Sequence, residues 1–97
     1  MSKQELIKAT IFCEHHKIAY DFISSVEQAG LVTFIVIDHQ TFIPHSQLEQ
    51  LEKVIRLSHE LDINLPGVEA IIYMLQRMEQ MQQEIVSLKN SLRYYEK

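Results

Sequence analysis

The chain has 97 residues, which is enough for one domain and too few for a two-domain enzyme. Hydrophobic residues make up 46% of it and charged residues 23%, so the composition predicts a chain that folds. Only two glycines and two prolines are present, which favours long helices over a many-turned β-sandwich or barrel. The net charge of −4 argues against a nucleic-acid ligand, because an acidic protein repels phosphate backbones.

Three features indicate where the protein works. Cys13 is the single cysteine, so no internal disulfide can form, as is usual in a reducing compartment. The first five residues lack the apolar core of a signal peptide. The longest apolar run, residues 31–37, is far shorter than the ~18 residues of a membrane span. The sequence therefore predicts a cytoplasmic protein that does not bind a membrane.

The first part of the chain predicts two short helices. Thr10 is a candidate N-cap for a helix that ends near His16. A second helix carries an apolar stripe at helical spacing and ends at Gly30, a residue type that commonly follows a helix. The stripe consists of Ile18, Phe22, Val26 and Ala29, with Ile23 beside them.

A small β-hairpin is predicted next. Residues 31–37 and 41–43 are rich in β-branched and aromatic side chains, and the polar residues 38–40 separate them. Ser46 and Glu49 then match a capping box, which predicts a third helix from about residue 46 to 61. Its apolar face consists of Leu48, Leu51, Val54, Ile55, Leu57 and Leu61.

The C-terminal third predicts one long helix, from about residue 66 to 95, with a heptad pattern. The seam positions are Ile71, Met74, Met78, Met81, Ile85, Leu88, Leu92 and Tyr95. Val68, Ile72 and Leu75 widen the apolar stripe at its start, so the early turns are expected to pack on their own domain. Thirty helical residues span roughly 45 Å, more than a domain of this size can cover. We therefore predict a homodimer whose interface is the six seam residues from Met78 onward; the heptads leave parallel and antiparallel pairing both open.

No motif in the sequence supports an enzyme active site or a metal site. Residues 13–16 are Cys, Glu, His and His, which are all metal-ligand types. Adjacent helical side chains point about 100° apart and do not converge on one ion, so we expect Cys13 in the core and His15 and His16 near the surface. The sequence also lacks a phosphate-binding glycine loop, a serine elbow and a carboxylate pair. We therefore predict no enzyme activity, no cofactor and no metal.

The element order and two motifs resemble a known family. Helix, turn, helix, wing, helix and long terminal helix is the order of MerR-like winged helix-turn-helix proteins. Residues 56–61 read RLSHEL and residues 65–68 read LPGV, and both resemble motifs of the chaperone-modulator (CbpM) family within that superfamily. Lys17 and Ala19 depart from the Gly and the Ser cap that are common in the helix-turn-helix. The implied fold is mainly α. In this fold, residues 1–65 form a winged helix-turn-helix domain with a small β-hairpin wing, and residues 66–97 form a long coiled-coil helix for dimerisation. The two parts make one compact unit.

The resemblance also implies a function. It suggests a dimeric protein that binds the J-domain of a DnaJ-like co-chaperone, CbpA, and inhibits it by competing with the Hsp70 chaperone DnaK. The alternative is a transcriptional regulator, whose second helix and wing would present Arg or Lys to DNA. Residues 19–43 contain neither, but they do contain Asp21, Glu27 and Asp38. Because residues 19–43 lack Lys and Arg, DNA is disfavoured as a partner. J-domains carry a basic helix that receives Hsp70, so these three acidic residues are the candidate contacts with the J-domain.

Overall fold

The computed structural model describes residues 5–95, so residues 1–4, examined above for a signal peptide, lie outside it. The elements in chain order are β1 (Leu6–Lys8), α1 (Ala9–His16), α2 (Tyr20–Gln28), β2 (Ile35–Ile37), β3 (Gln40–Pro44), α3 (Leu48–Ile55) and α4 (Leu65–Tyr95). A 3₁₀ turn, His45–Gln47, precedes α3, and a π-helical turn, Arg56–Glu60, extends it. The predicted fold class, mainly helical with a small β wing and a long terminal helix, is confirmed.

The helix-turn-helix forms even though Lys17 and Ala19 depart from the family pattern. Lys17 adopts the left-handed conformation (φ 56°) that Gly favours, and the N–H of Ile18 bonds to the Cys13 carbonyl at 2.9 Å. Ala19 precedes α2 and makes no side-chain cap bond. The predicted cap at Thr10 is wrong: β1 runs directly into α1, so the extended residue before the helix is Lys8.

The sheet has three antiparallel strands in the order β1-β3-β2, one more than predicted. β1 has only three residues and therefore too little alternation to be recognised. The predicted strand over 31–37 begins only at Ile35. The N–H of Thr33 donates to Gln47 Oε1 at 3.0 Å and that of Phe34 to Glu27 Oε2 at 3.3 Å, so these donors bond to side chains outside the ladder.

The third helix differs from its prediction at both ends. Its start is the 3₁₀ turn, with Ser46 inside it, and the residues before that turn and before α3, Pro44 and Gln47, make no side-chain cap bond. Its last turn is π-helical, and the chain leaves it through Asp62 at φ 56°. Leu61, assigned to the buried face, is 62% exposed because it lies beyond that turn.

The core gathers apolar side chains from both halves of the chain. Its buried members are Ala9, Phe12, Cys13, Ile23, Val26, Val32, Phe34, Ile43, Leu51, Val54, Val68 and Ile72. Gly30, with φ 80°, ends α2 as predicted, and its N–H bonds to the Glu27 carbonyl at 2.9 Å. The core thus joins the two helices of the helix-turn-helix, the wing, α3 and the first turns of α4.

The LPGV motif builds the start of α4. Asn64 is the N-cap, because its Oδ1 accepts the N–H of Gly67 at 2.9 Å. A Cβ on Gly67 would lie 2.8 Å from Cγ2 of Ile63 and 3.1 Å from Asn64 Oδ1, so glycine permits this close approach. Pro66 occupies the second helical position, where its missing N–H leaves no intrahelical bond unmade.

Candidate partner-binding surface

Asp21 lies in the first turn of α2, where a carboxylate interacts favourably with the helix dipole. Its side chain is exposed, and its backbone carbonyl accepts a bond from the Ser25 hydroxyl at 3.0 Å. The carboxylate is therefore presented to solvent by a rigid element. The structure places Asp21 as a surface charge that a partner can reach.

Glu27, the second predicted contact, makes a hydrogen bond within the chain. Its Oε2 accepts the N–H of Phe34 at 3.3 Å and so links the end of α2 to the segment that enters the wing. The sequence contains no signal for this bond, since it joins residues that are close only in the fold. Glu27 is accordingly a positioning residue for the wing, although it remains exposed and contributes negative charge.

Asp38 lies at the tip of the wing. Asp38 and His39 are the two central residues of the β2–β3 turn, with φ of 50° and 65°. Two positive values are the signature of a type I′ turn, which twists as the strands do, and Asp tolerates this conformation better than most residues. The predicted three-residue turn is thus one residue shorter, and Gln40 belongs to β3.

A cleft of about 330 Å³ separates α2 from the wing. Its walls are Lys8, Thr10, Tyr20, His39, Gln40 and Thr41. In the sequence, Asp21 follows the wall residue Tyr20, and Asp38 precedes the wall residue His39. Asp21 and Glu27 are six residues apart on α2, roughly 9 Å along the helix axis. Two of the three predicted contacts are thus sequence neighbours of wall residues without lining the cleft themselves, and the third makes a hydrogen bond within the chain.

A second cleft, of about 270 Å³, lies against α3 and the π-helical turn. Its lining residues are His16, Glu52, Ile55, Arg56, His59 and Glu60, which include three residues of the RLSHEL motif. His16 Nε2 lies 3.9 Å from Glu52 Oε2, and the imidazole of His16 stacks on Phe12 with centroids 4.0 Å apart. His59 packs edge-on against Phe22 at 4.8 Å. The contact between His59 and Phe22 gives the motif a role in joining α2 to the π-helical turn.

The residues from Cys13 to His16 lie as predicted, with the cysteine in the core and the two histidines near the surface. Cys13 is buried, and desolvation by burial raises the pKa of its thiol above the ordinary 9.0, which disfavours the thiolate that a nucleophile or metal ligand needs. His15 and His16 are exposed. Among residues 5–95, no group of three or more His, Cys, Asp and Glu side chains is placed to hold a metal ion.

The predicted dimer residues lie along the exposed part of α4. Val68 and Ile72 are buried and Ile71 is half-buried, whereas every residue from 73 to 95 is exposed. Leu75 was expected to pack on the domain but is 42% exposed. The seam residues beyond that point are 45–82% exposed: Met78, Met81, Ile85, Leu88, Leu92 and Tyr95. The helix therefore leaves its domain after about two turns and carries an apolar seam into solvent.

A helix-turn-helix, a β wing and a protruding terminal helix define a winged helix-turn-helix regulatory protein. The sequence model described as MerR HTH family regulatory protein matches residues 7–90, so the chain belongs to that family. A search of curated proteins and a search of solved structures each found no match to the chain. Within residues 5–95, no helix combines the length and apolarity that crossing a membrane requires.

Proposed function

We propose that this chain is a chaperone modulator that binds the J-domain of a DnaJ-like co-chaperone and inhibits its action with Hsp70. One observation carries the proposal: the surface formed by α2 and the wing exposes Asp21 and Asp38, and residues 19–43 contain no Lys or Arg. This is the surface that a winged helix-turn-helix protein would turn toward DNA. Its charge instead suits a basic protein partner, and the RLSHEL and LPGV motifs resemble those of the CbpM family.

Inhibition in this proposal is competition for one surface and needs no chemistry by the chain. A J-domain receives Hsp70 on a basic helix, so a protein that covers this helix blocks Hsp70 by occupancy. Opposite charges on the two partners accelerate their encounter and favour this partner over acidic ones. The affinity should therefore fall as salt is raised, because ions screen exposed charges over a distance of about 10 Å at 0.1 M.

The long helix supplies the second part of the proposal, a homodimer. Its seam beyond Met78 is apolar, exposed and continuous over several turns. Soluble monomers rarely leave such a stripe uncovered, and a second copy offers a matching one. A dimer would present two copies of the α2 and wing surface.

The alternative function is a transcriptional regulator that reads DNA, and membership of the MerR HTH regulatory family favours it. Phosphate contacts require Lys, Arg or neutral donors, and the cationic ones supply most of the affinity. On α2 and the wing only neutral donors such as Ser24, Ser25 and Gln28 are available. The charge of this surface therefore disfavours the alternative.

Two binding measurements test the proposal against the alternative. Titration calorimetry with the cognate J-domain should give a measurable heat, and added Hsp70 should compete. Fluorescence anisotropy with duplex DNA from the chain's own promoter region should show no sequence-selective binding at low salt. Nanomolar DNA binding with a salt slope of several phosphate contacts, or the lack of any J-domain binding by well-folded partners, would overturn the proposal.

A further inference from the structure

The inner face of the wing extends beyond the elements that cover it. The strand register pairs Val36 with Thr41, and cross-strand partners share one face of an antiparallel sheet. Side chains alternate along a strand, so Ile43 lies on the same face as Thr41. Ile43 is fully buried in the core, whereas Val36 is 66% exposed. The apolar face that builds the core therefore continues uncovered onto β2.

This uncovered region adjoins the cleft between α2 and the wing. Thr41 and Tyr20 both line that cleft, and Tyr20 is 41% exposed. We call the surface formed by Tyr20, Thr41 and Val36 the wing surface. It combines an aromatic ring, a methyl-bearing hydroxyl side chain and an aliphatic side chain, which are the components of an apolar anchor site with a polar edge.

The charges around the wing surface restrict what can bind there. Asp21 follows Tyr20 on α2, and Asp38 lies two residues beyond Val36; both are exposed. Lys8 is the cation in the cleft wall, at the end of β1. Edge strands are commonly protected by Lys, but β2 carries none and its exposed side chains are aliphatic. An apolar surface with acidic flanks complements an amphipathic segment whose polar face is basic.

We propose that the wing surface is the docking site for a basic amphipathic helix of the protein partner, with Val36 and Tyr20 as the apolar anchors. Asp21 and Asp38 then meet the cations on either side of that helix. Glu27 is left out of the contact, because it lies at the far end of α2 from Tyr20, roughly 10 Å away along the helix axis. This inference rests on the proposed function, since the J-domain supplies the basic helix.

The alternation of β2 provides a test with an internal control. Val36→Ser removes the apolar anchor on the sheet face that Thr41 and Ile43 share, while Ile37→Ser makes a comparable change on the other face, where Ile37 pairs with Gln40 and is 44% exposed. Calorimetric titration of the full chain with the cognate J-domain should give a Kd about tenfold higher for Val36→Ser, because partial burial of a Val side chain contributes roughly that factor. Ile37→Ser should stay within about twofold of the wild type.

Every outcome bears on the proposal. If both variants weaken binding equally, or neither does, the docking site is wrong while the proposed function stands. A wild-type chain that does not bind the J-domain overturns both. Should Val36→Ser unfold, as judged by circular dichroism, the isosteric β-branched Val36→Thr preserves the strand and should still weaken binding. Duplex DNA binding that Val36→Thr weakens and Ile37→Thr does not would assign this surface to DNA and refute the inference.

Discussion

Replacing Ile85 and Leu88 with Asp should separate the proposed dimer into monomers. The two side chains are 52% and 69% exposed in the single chain, so a partner helix can still cover more than half of each. Full burial of such a side chain contributes roughly 1.5–3 kcal/mol, and half of that is about 0.75–1.5 kcal/mol. Because each substitution occurs in both copies, the dimer loses about 3–6 kcal/mol, or two to four powers of ten in Kd.

Light scattering with size-exclusion chromatography measures this effect directly. The wild type should elute at twice the mass of the chain at tens of micromolar, and the double variant at the mass of one chain. Gln83→Asp with Asn90→Asp is the matched control, since it adds the same charge at exposed positions off the seam. Circular dichroism should show α4 still helical. A wild-type monomer at this concentration, or equal dissociation by the control pair, would refute the reasoning.

Three further predictions concern stability. Asn64→Ala removes the α4 cap and should lower the free energy of unfolding by about 1 kcal/mol in urea titrations, whereas Asn64→Asp should retain most of it. Gly67→Ala would ordinarily stabilise a helix by about 1 kcal/mol, but its Cβ would lie 2.8 Å from the Ile63 methyl, so we expect a loss that Ile63→Ala partly relieves. The raised pKa of the buried Cys13 thiol means that the folded state retains this proton longer than the unfolded state. Stability should therefore fall as pH rises past the ordinary 9.0, and Cys13→Ala should remove that slope.

The sequence predicted those parts of the fold that depend on periodicity. Val26 and Ile23 on α2 and Val68 and Ile72 on α4 are buried, as the helical spacing indicated. That α4 protrudes from its domain was also predicted, but the helix leaves the domain earlier than expected, after Ile72, and Leu75 is 42% exposed. The spacing of apolar residues indicates which side of a helix packs against apolar surface. This spacing can be read within the helical segment itself, without knowledge of its distant neighbours.

The errors occur where a partner distant in sequence decides the local structure. β1 pairs with β3 across more than thirty residues, and nothing in Leu6–Lys8 specifies that pairing. The strand predicted from residue 31 begins at Ile35 because Glu27 and Gln47 bind the two preceding N–H groups. The bond from Glu27 also shows that this residue positions the wing, a role that its place in the sequence does not indicate. Side-chain to backbone bonds between distant segments have no periodic signature, so single-sequence reasoning could not find them.

The α2 and wing surface explains why family membership alone does not settle the ligand. A winged helix-turn-helix holds its second helix and its wing rigidly on one side of a core, whatever side chains those elements carry. Arg and Lys on that side would make the scaffold a reader of phosphate backbones. That side instead exposes the apolar side chains of Tyr20 and Val36 and the carboxylates of Asp21 and Asp38. Exchange of Asp21 and Asp38 for Lys should therefore weaken J-domain binding and flatten its salt dependence while leaving the dimer intact, because the charges lie on the surface and the core is unchanged. Calorimetry at two salt concentrations measures both quantities, and an unchanged salt slope would show that these carboxylates do not face the partner.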